Sequence, residues 1–254
     1  MMADRLKALA LPTAALLTFE FWARLVDLNS DSLAPPSAVL IALWHAFTGG
    51  GILAATRDTL TSAFAGLLFG GSIGLAFGIL LGLLQPVDRL MEVTIEAVRP
   101  IPSIALLPIA LIALGFGYRM EIAIVSFACI WPVLILARAA VREVEPRLME
   151  VSRALKLSPA DRVRKIVIPA ALPRIFVAFR LAAGIALIVA VTVEIAINPI
   201  GLGAAIMAAQ QGLQADLMLA YLIWIGLIGF ALNAGLNFMQ ARLFGRAALV
   251  RDPA

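Results

Sequence analysis

Cysteine and histidine are almost missing from this chain of 254 residues, which has one of each, Cys129 and His45. That count excludes an intrachain disulfide, a cysteine cluster and a Cys/His zinc site. Cys129 sits in an apolar run and reads as a small buried residue, and His45 reads as a packing or interfacial residue. Lysine is nearly as scarce. Lys7, Lys156 and Lys165 follow Leu, Leu and Arg, so no Gly-Lys-Ser/Thr phosphate loop exists, and no HExxH or serine-hydrolase signature is present either. The chain is therefore read as a non-enzyme, without the residues that hydrolyse ATP. Charge of both signs is thin, at 14% of residues against about a quarter in a soluble domain.

What is present is apolar. Hydrophobic residues make up 62% of the chain and the mean hydropathy is +0.99. This is the composition of an all-α integral membrane protein with room for about six transmembrane helices of roughly 20 residues. The net charge of +4 and the pI near 9.8 follow from basic residues gathered on cytoplasmic loops, without appeal to nucleic acid.

Uncharged runs place the spans at about 8–26, 60–84, 100–118, 121–141, 175–195 and 217–241. Arg5 and Lys7 before the first run have the outline of a signal peptide. No small-x-small site follows, so an uncleaved first span is expected. Segments 28–56 and 196–216 are expected on the outer surface. The former holds a short helix around Val39, Leu40, Leu43, Trp44 and Phe47, between Pro35-Pro36 and Gly49-Gly50-Gly51. Gln85–Arg99 is expected as a charged surface helix, and Pro100, Pro102 and Pro108 make the third span irregular near its start. With both termini cytoplasmic, Arg24, Arg57 and Arg119 alone face outward. Arg5, Lys7, Arg89, Arg99, the Arg138–Arg180 region, Arg242, Arg246 and Arg251 face inward. Arg180 lies near the inner end of its span, where it can snorkel.

The one long charged stretch runs from Arg138 to Arg174, and its loop, 142–172, reads as two short amphipathic helices. Pro146 suits a first helical turn, and Leu148, Val151 and Leu155 share one face, with Arg147, Glu150 and Arg153 off it. Ser158 reads as an N-cap, Pro159 as the first helical residue and Asp161 as a carboxylate at the positive helix end. Val163, Ile166 and Val167 form a second apolar face, and Pro169 and Pro173 are expected to break the helix. Elsewhere, Gly66, Gly70, Gly74, Gly78 and Gly82 recur every four residues, a groove for close helix packing. Glu20 and Glu194, both near span ends, are too few carboxylates for a proton relay, and Glu194 reads as a packing or gate residue. Ser126, Thr192, Glu194, Asn198, Gln210 and Gln211 are the polar candidates for a path or gate.

Glu150-Val151-Ser152, Leu155 and Ile166-Val167-Ile168-Pro169 resemble the EAA loop of ABC-importer permeases, with its E-A-A, three residues, Gly, nine residues and I-x-L-P. Val151-Ser152 replaces the Ala pair, and Lys156 stands at the family's glycine. Either the joint avoids positive φ or it tolerates strain. Arg99-Pro100-Ile101-Pro102-Ser103 with Ala105–Pro108 and Gly115–Gly117, and Glu194 with Gly201–Gly203 and Ala209–Gln211, resemble the nitrate/sulfonate/taurine/bicarbonate branch. The resemblance implies a type I importer permease in a bacterial inner membrane that forms the path for a small anion. Its implied partners are a second, identical permease subunit, two cytoplasmic ATPase subunits that carry ATP and Mg, and an extracytoplasmic solute-binding protein. This chain itself would hold no cofactor and no metal. Leu148, Glu150, Val151, Ser152, Arg153, Leu155, Lys156, Ile166 and Pro169 are the implied ATPase-coupling residues. A stand-alone secondary transporter or channel is the alternative.

Overall fold

The computed structural model describes residues 2–26, 30 and 32–245, with the side chains of 2–9, 146, 149 and 153 excepted. The side chains of Arg5 and Lys7, residues Asn29 and Asp31 of the expected outer loop, and Arg246 and Arg251 lie outside the described residues. Every regular element among those described is helical. In chain order these are α1 (Met2–Leu25), α2 (Pro36–Thr48), α3 (Gly51–Leu83), α4 (Gln85–Val98), α5 (Leu107–Leu114), α6 (Tyr118–Arg142), α7 (Pro146–Ala154), α8 (Pro159–Arg162), α9 (Ile168–Ala196), α10 (Gly201–Gln211) and α11 (Ala215–Phe244). A 3₁₀ turn at Ser103–Leu106 precedes α5, and a π turn at Val163–Val167 joins α8 to α9. Four of these helical runs, through α3, α6, α9 and α11, are long and apolar enough to cross a bilayer, and the α4–α5 pair would make a fifth.

The chain divides into two compact units. The first comprises residues 1–59 and 194–228. Its centre is two apolar clusters, one of Ala34, Val39, Ala42, Ala215 and Ala220 and one of Ile52, Leu202, Ile206 and Tyr221. Trp224 closes the second with an edge-on contact to Phe47 at 4.7 Å and a hydrogen bond from Nε1 to Thr56 Oγ1 at 2.8 Å. The expected short helix is α2. Gly50, at φ +74°, makes the turn after it, and α3 begins at Gly51 rather than after Thr56.

The second unit comprises residues 60–193 and 229–254. Here α3 and α6 pack through the glycines, over a core of Ala63, Val125, Cys129, Val133, Ala182, Ala186 and Ala190. The expected span 100–118 is not one helix. α4 and the run Ser103–Leu114 are bent by 79°. Pro100 and Pro102 supply no N–H, so no continuous ladder can pass through them. The helical run that remains is about 18 Å long, short of a hydrocarbon core of about 30 Å.

The Arg138–Arg174 loop and its surroundings

Helix α7 begins at Pro146 and ends in a left-handed turn. Lys156 stands at φ +50°, and Leu157 N–H donates to Ser152 O at 3.0 Å across it. Of the two alternatives at this joint, the structure has the strained one: a side chain sits where glycine is free of penalty. Leu213 does the same at φ +56° after α10, with Gln214 N–H bonded to Ala209 O. Ser158 caps α8, its Oγ accepting from Asp161 N–H at 3.1 Å. Lys165 and Ser158 both reach the Asp161 carboxylate, at 2.9 Å each, and hold its pKa below the ordinary range, the lysine contributing most.

The proline break does not occur. α9 starts at Ile168 and runs through Pro169 and Pro173 to Ala196. At Pro169 the π turn accounts for this: Ile168 N–H reaches back five residues to Val163 O. The wider ring moves the Lys165 carbonyl off the position where the Pro169 ring would strike it.

The loop's apolar residues divide into two groups. Val167 is buried with Ala137, Ala140 and Val141 of α6 and Ala171 and Ile175 of α9, so the base of the loop is fixed to both flanking helices. Ile166 is half-buried and Pro169 exposed. Leu148, Val151 and Leu155 are instead 38%, 49% and 64% exposed, an uncovered apolar stripe beside the exposed Glu150 and Lys156. Ser152, which flanks the stripe on α7, is fully buried, and the Arg153 side chain lies outside the described residues. Arg174 pairs with Glu143 across the loop's ends.

Beneath the loop, Asp88 of α4 is buried between Arg138, at 2.7 Å, and Arg142 of α6. These three line a polar cleft with Arg89, Glu92 and Val167. Sequence reasoning missed this cluster. Its only trace is one aspartate on an amphipathic helix and two arginines four apart at the end of a span. Arg180 was likewise read only as a snorkelling residue. Its guanidinium binds the amide oxygens of Asn237 (2.5 Å) and Gln240 (2.9 Å) on α11.

The polar path candidates are scattered. Ser126 lies in the α3–α6 seam, its Oγ donating to Gly66 O at 3.2 Å, and Thr192 is exposed and bonds within its own helix. Gln210 and Gln211 are exposed at the end of α10. Glu194 and Asn198 are buried. Glu194 Oε2 accepts from Gly203 N–H at 2.8 Å, while Thr59 Oγ1 accepts from Leu202 N–H at 2.8 Å, so two distant side chains cap the start of α10. Gly201, at φ +87°, leaves the space that the Glu194 carboxylate fills. Glu20 does the same for α2, accepting from Ser37 N–H at 3.0 Å. Glu121, at the start of α6, is a further fully buried carboxylate that the sequence reading passed over.

A family model described as "Binding-protein-dependent transport system inner membrane component" matches residues 74–248. The taurine transport system permease protein of Escherichia coli is 30% identical over 252 residues, 94% of this chain and 90% of that protein. The bicarbonate transport system permease protein of Synechococcus elongatus is 32% identical over 192 residues, 75% of this chain and 69% of that protein. Among solved structures, an inward-facing MetNI methionine ABC transporter aligns with a TM-score of 0.66 at 22% identity, over 76% of this chain and 93% of the matched one, which shows a shared fold.

Proposed function

The chain belongs to the binding-protein-dependent transport system inner membrane component family, the permeases of ABC importers, and from that premise we propose that it carries a small anion across a bacterial inner membrane when a separate ATPase works the Glu150–Pro169 loop. The relatives named for bicarbonate, an anion, and taurine, a zwitterion with a sulfonate group, support a small solute that bears an oxyanion group. The complete importer pairs two copies of this chain with two ATPase subunits and takes its solute from an extracytoplasmic binding protein. Positive charge concentrated on the loop and its neighbours supports a cytoplasmic face for it.

The observation that carries this reading is the contrast within the loop. Leu148, Val151 and Leu155 are uncovered, while Val167 is locked against α6 and α9. An apolar helix face of that size stays in water only until a partner covers it. The anchored half would then pass the partner's movement into the spans as a rigid-body shift. Glu150→Ala tests this in the intact complex. The variant is expected to insert in the membrane normally, to lose co-purification of the ATPase, and to lose ATP-dependent uptake in proteoliposomes. Normal co-purification with normal uptake refutes the docking role. Uptake by the wild type without ATP or partners would favour a stand-alone transporter.

A further inference from the structure

Helix α4 is fastened to its unit by charge rather than by apolar contact. Its one fully buried side chain is a carboxylate, Asp88, 3% exposed, while Leu90 and Val93 of the same helix are 75% and 74% exposed. The run beyond the 79° bend is held differently. There Leu107 of α5 packs with Met120 and Ile124 of α6 in an apolar cluster.

The ionic end is closely made. Arg138 Nη2 donates to Asp88 Oδ2 at 2.8 Å, and Arg138 Nε lies 2.7 Å from Oδ1, a charge contact without hydrogen-bond alignment. Arg142, one turn further along α6, donates to Oδ2 as well. The two arginine side chains are 19% and 35% exposed, so solvent ions screen the group weakly. Both stand on the same turns of α6 as Ala137 and Val141, which pack on Val167 at the base of the loop. Whatever shifts Val167 therefore shifts both guanidiniums.

The two kinds of fastening respond differently to such a shift. Apolar side chains interdigitate and so fix one register. Charge attraction needs no interlocking shape and falls off slowly with distance. A carboxylate between two guanidiniums one turn apart keeps one partner as it recedes from the other, so it can follow a sliding neighbour without letting go.

We propose that Asp88 is a positioning residue for transport: it makes α4 follow the base of α6 when a partner drives the loop, so that the movement reaches the bent α4–α5 pair as well as α6 and α9. This rests on the import reading above and deepens it, because it gives the driven loop a third element to move.

The test uses the assembled importer, with its ATPase and binding protein, in proteoliposomes. It reads solute imported per ATP hydrolysed, with taurine, bicarbonate and nitrate as probes. Asp88→Asn keeps the shape and removes the charge. It is expected to retain ATPase co-purification and ATP hydrolysis, and to lower uptake per ATP about tenfold or more, the worth of one hydrogen bond to a charged group. Asp88→Glu, which keeps the charge, should recover most of that loss. A ratio as low in Asp88→Glu as in Asp88→Asn would place the effect in shape and overturn the ionic joint. Because Asp88→Asn strands two partly buried cations, a triple variant with Asp88→Asn, Arg138→Gln and Arg142→Gln is measured beside it. The triple variant should assemble with a thermal midpoint near that of the wild type and show the same low ratio. A wild-type ratio in either variant overturns the role of Asp88. So does a fall of uptake and ATP hydrolysis in equal proportion, which is what a merely structural part would give. Failure of both variants to assemble also overturns it, since the cluster then serves folding. Import by the wild type without ATP, or of none of the three probes with ATP and all partners present, overturns the import reading and the role of Asp88 with it.

Discussion

Gly74 offers the sharpest test of how the second unit is held together. A Cβ built there would lie 2.5 Å from Ile130 O and 3.1 Å from Leu134 N, and at Gly78 one would lie 2.7 Å from Leu134 O and 2.8 Å from Ala137 Cβ. The obstacles at Gly74 are backbone atoms and cannot rotate away. Alanine at 74 therefore has to push α3 and α6 apart by roughly 1 Å, enough to forfeit a quarter to a half of each contact's attraction along the seam. Overpacking of this kind costs about 1–3 kcal/mol. The same change also brings a helix-propensity gain of about 0.4–1 kcal/mol. Gly184 of α9 has nothing within 4 Å of its virtual Cβ, so Gly184→Ala isolates that gain. The difference between the two variants, by equilibrium unfolding in mixed micelles, should be about 1–3 kcal/mol in favour of Gly184→Ala. Equal stabilities would show that the glycine seam is not a close-packed contact.

Glu194→Gln should cost about 1 kcal/mol and Glu194→Ala about 3, because the first weakens and the second removes the bond to a buried N–H; the same unfolding measurement reads both. Lys156→Gly should stabilise the folded chain by about 1 kcal/mol, since glycine holds positive φ without the Cβ penalty, and ATPase co-purification should be retained. The capped turn at Ser158 should loosen in acid. Its aspartate is held below the ordinary value of 3.8, so the contribution is complete above that value and is lost as pH falls through the lowered one. Protection of the amides of residues 160–165, measured as exchange relative to the intrinsic rate at each pH, should fall between pH 6 and pH 3 in the wild type and depend less on pH in Ser158→Ala.

The elements legible in the sequence are those whose signal is periodic or local. Glycines four apart put one surface of α3 against α6, and Ser158-Pro159 fixes a helix start through its own neighbours. Span boundaries were less legible. Hydropathy marks where lipid contact ends, but α9 continues down to Ile168 because its proline problem is solved by a π turn, which depends on the hydrogen-bond register of the residues before it. The pairs that matter most at the sites join distant positions: Asp88 with Arg138 and Arg142, and Thr59 with Leu202. No window of sequence contains both members. A polar face was nonetheless readable and was overlooked: Asn233, Asn237 and Gln240 recur at helical spacing along α11.

Glu20 and Glu194, the two span-end carboxylates judged too few for a proton relay, both have structural partners. A helix start leaves N–H groups without intrahelical acceptors. The chain twice meets that need with a carboxylate from another helix, Glu20 for α2 and Glu194 for α10. Such an anion is compensated by fixed dipoles, and protonating it would uncap a helix, so it is poorly suited to shuttle protons. On the reading proposed above, the free energy that moves this permease is supplied by a partner outside the membrane. The chain's freedom to receive it is concentrated in one joint. From Val163 onward the loop is continuous with α9 and pinned by Val167, whereas α7 precedes the strained turn at Lys156 and packs against the π turn. A partner seated on Leu148, Val151 and Leu155 can re-aim α7 by altering that turn, but it can move α8 and Val167 only by moving the base of α6 and α9 as well.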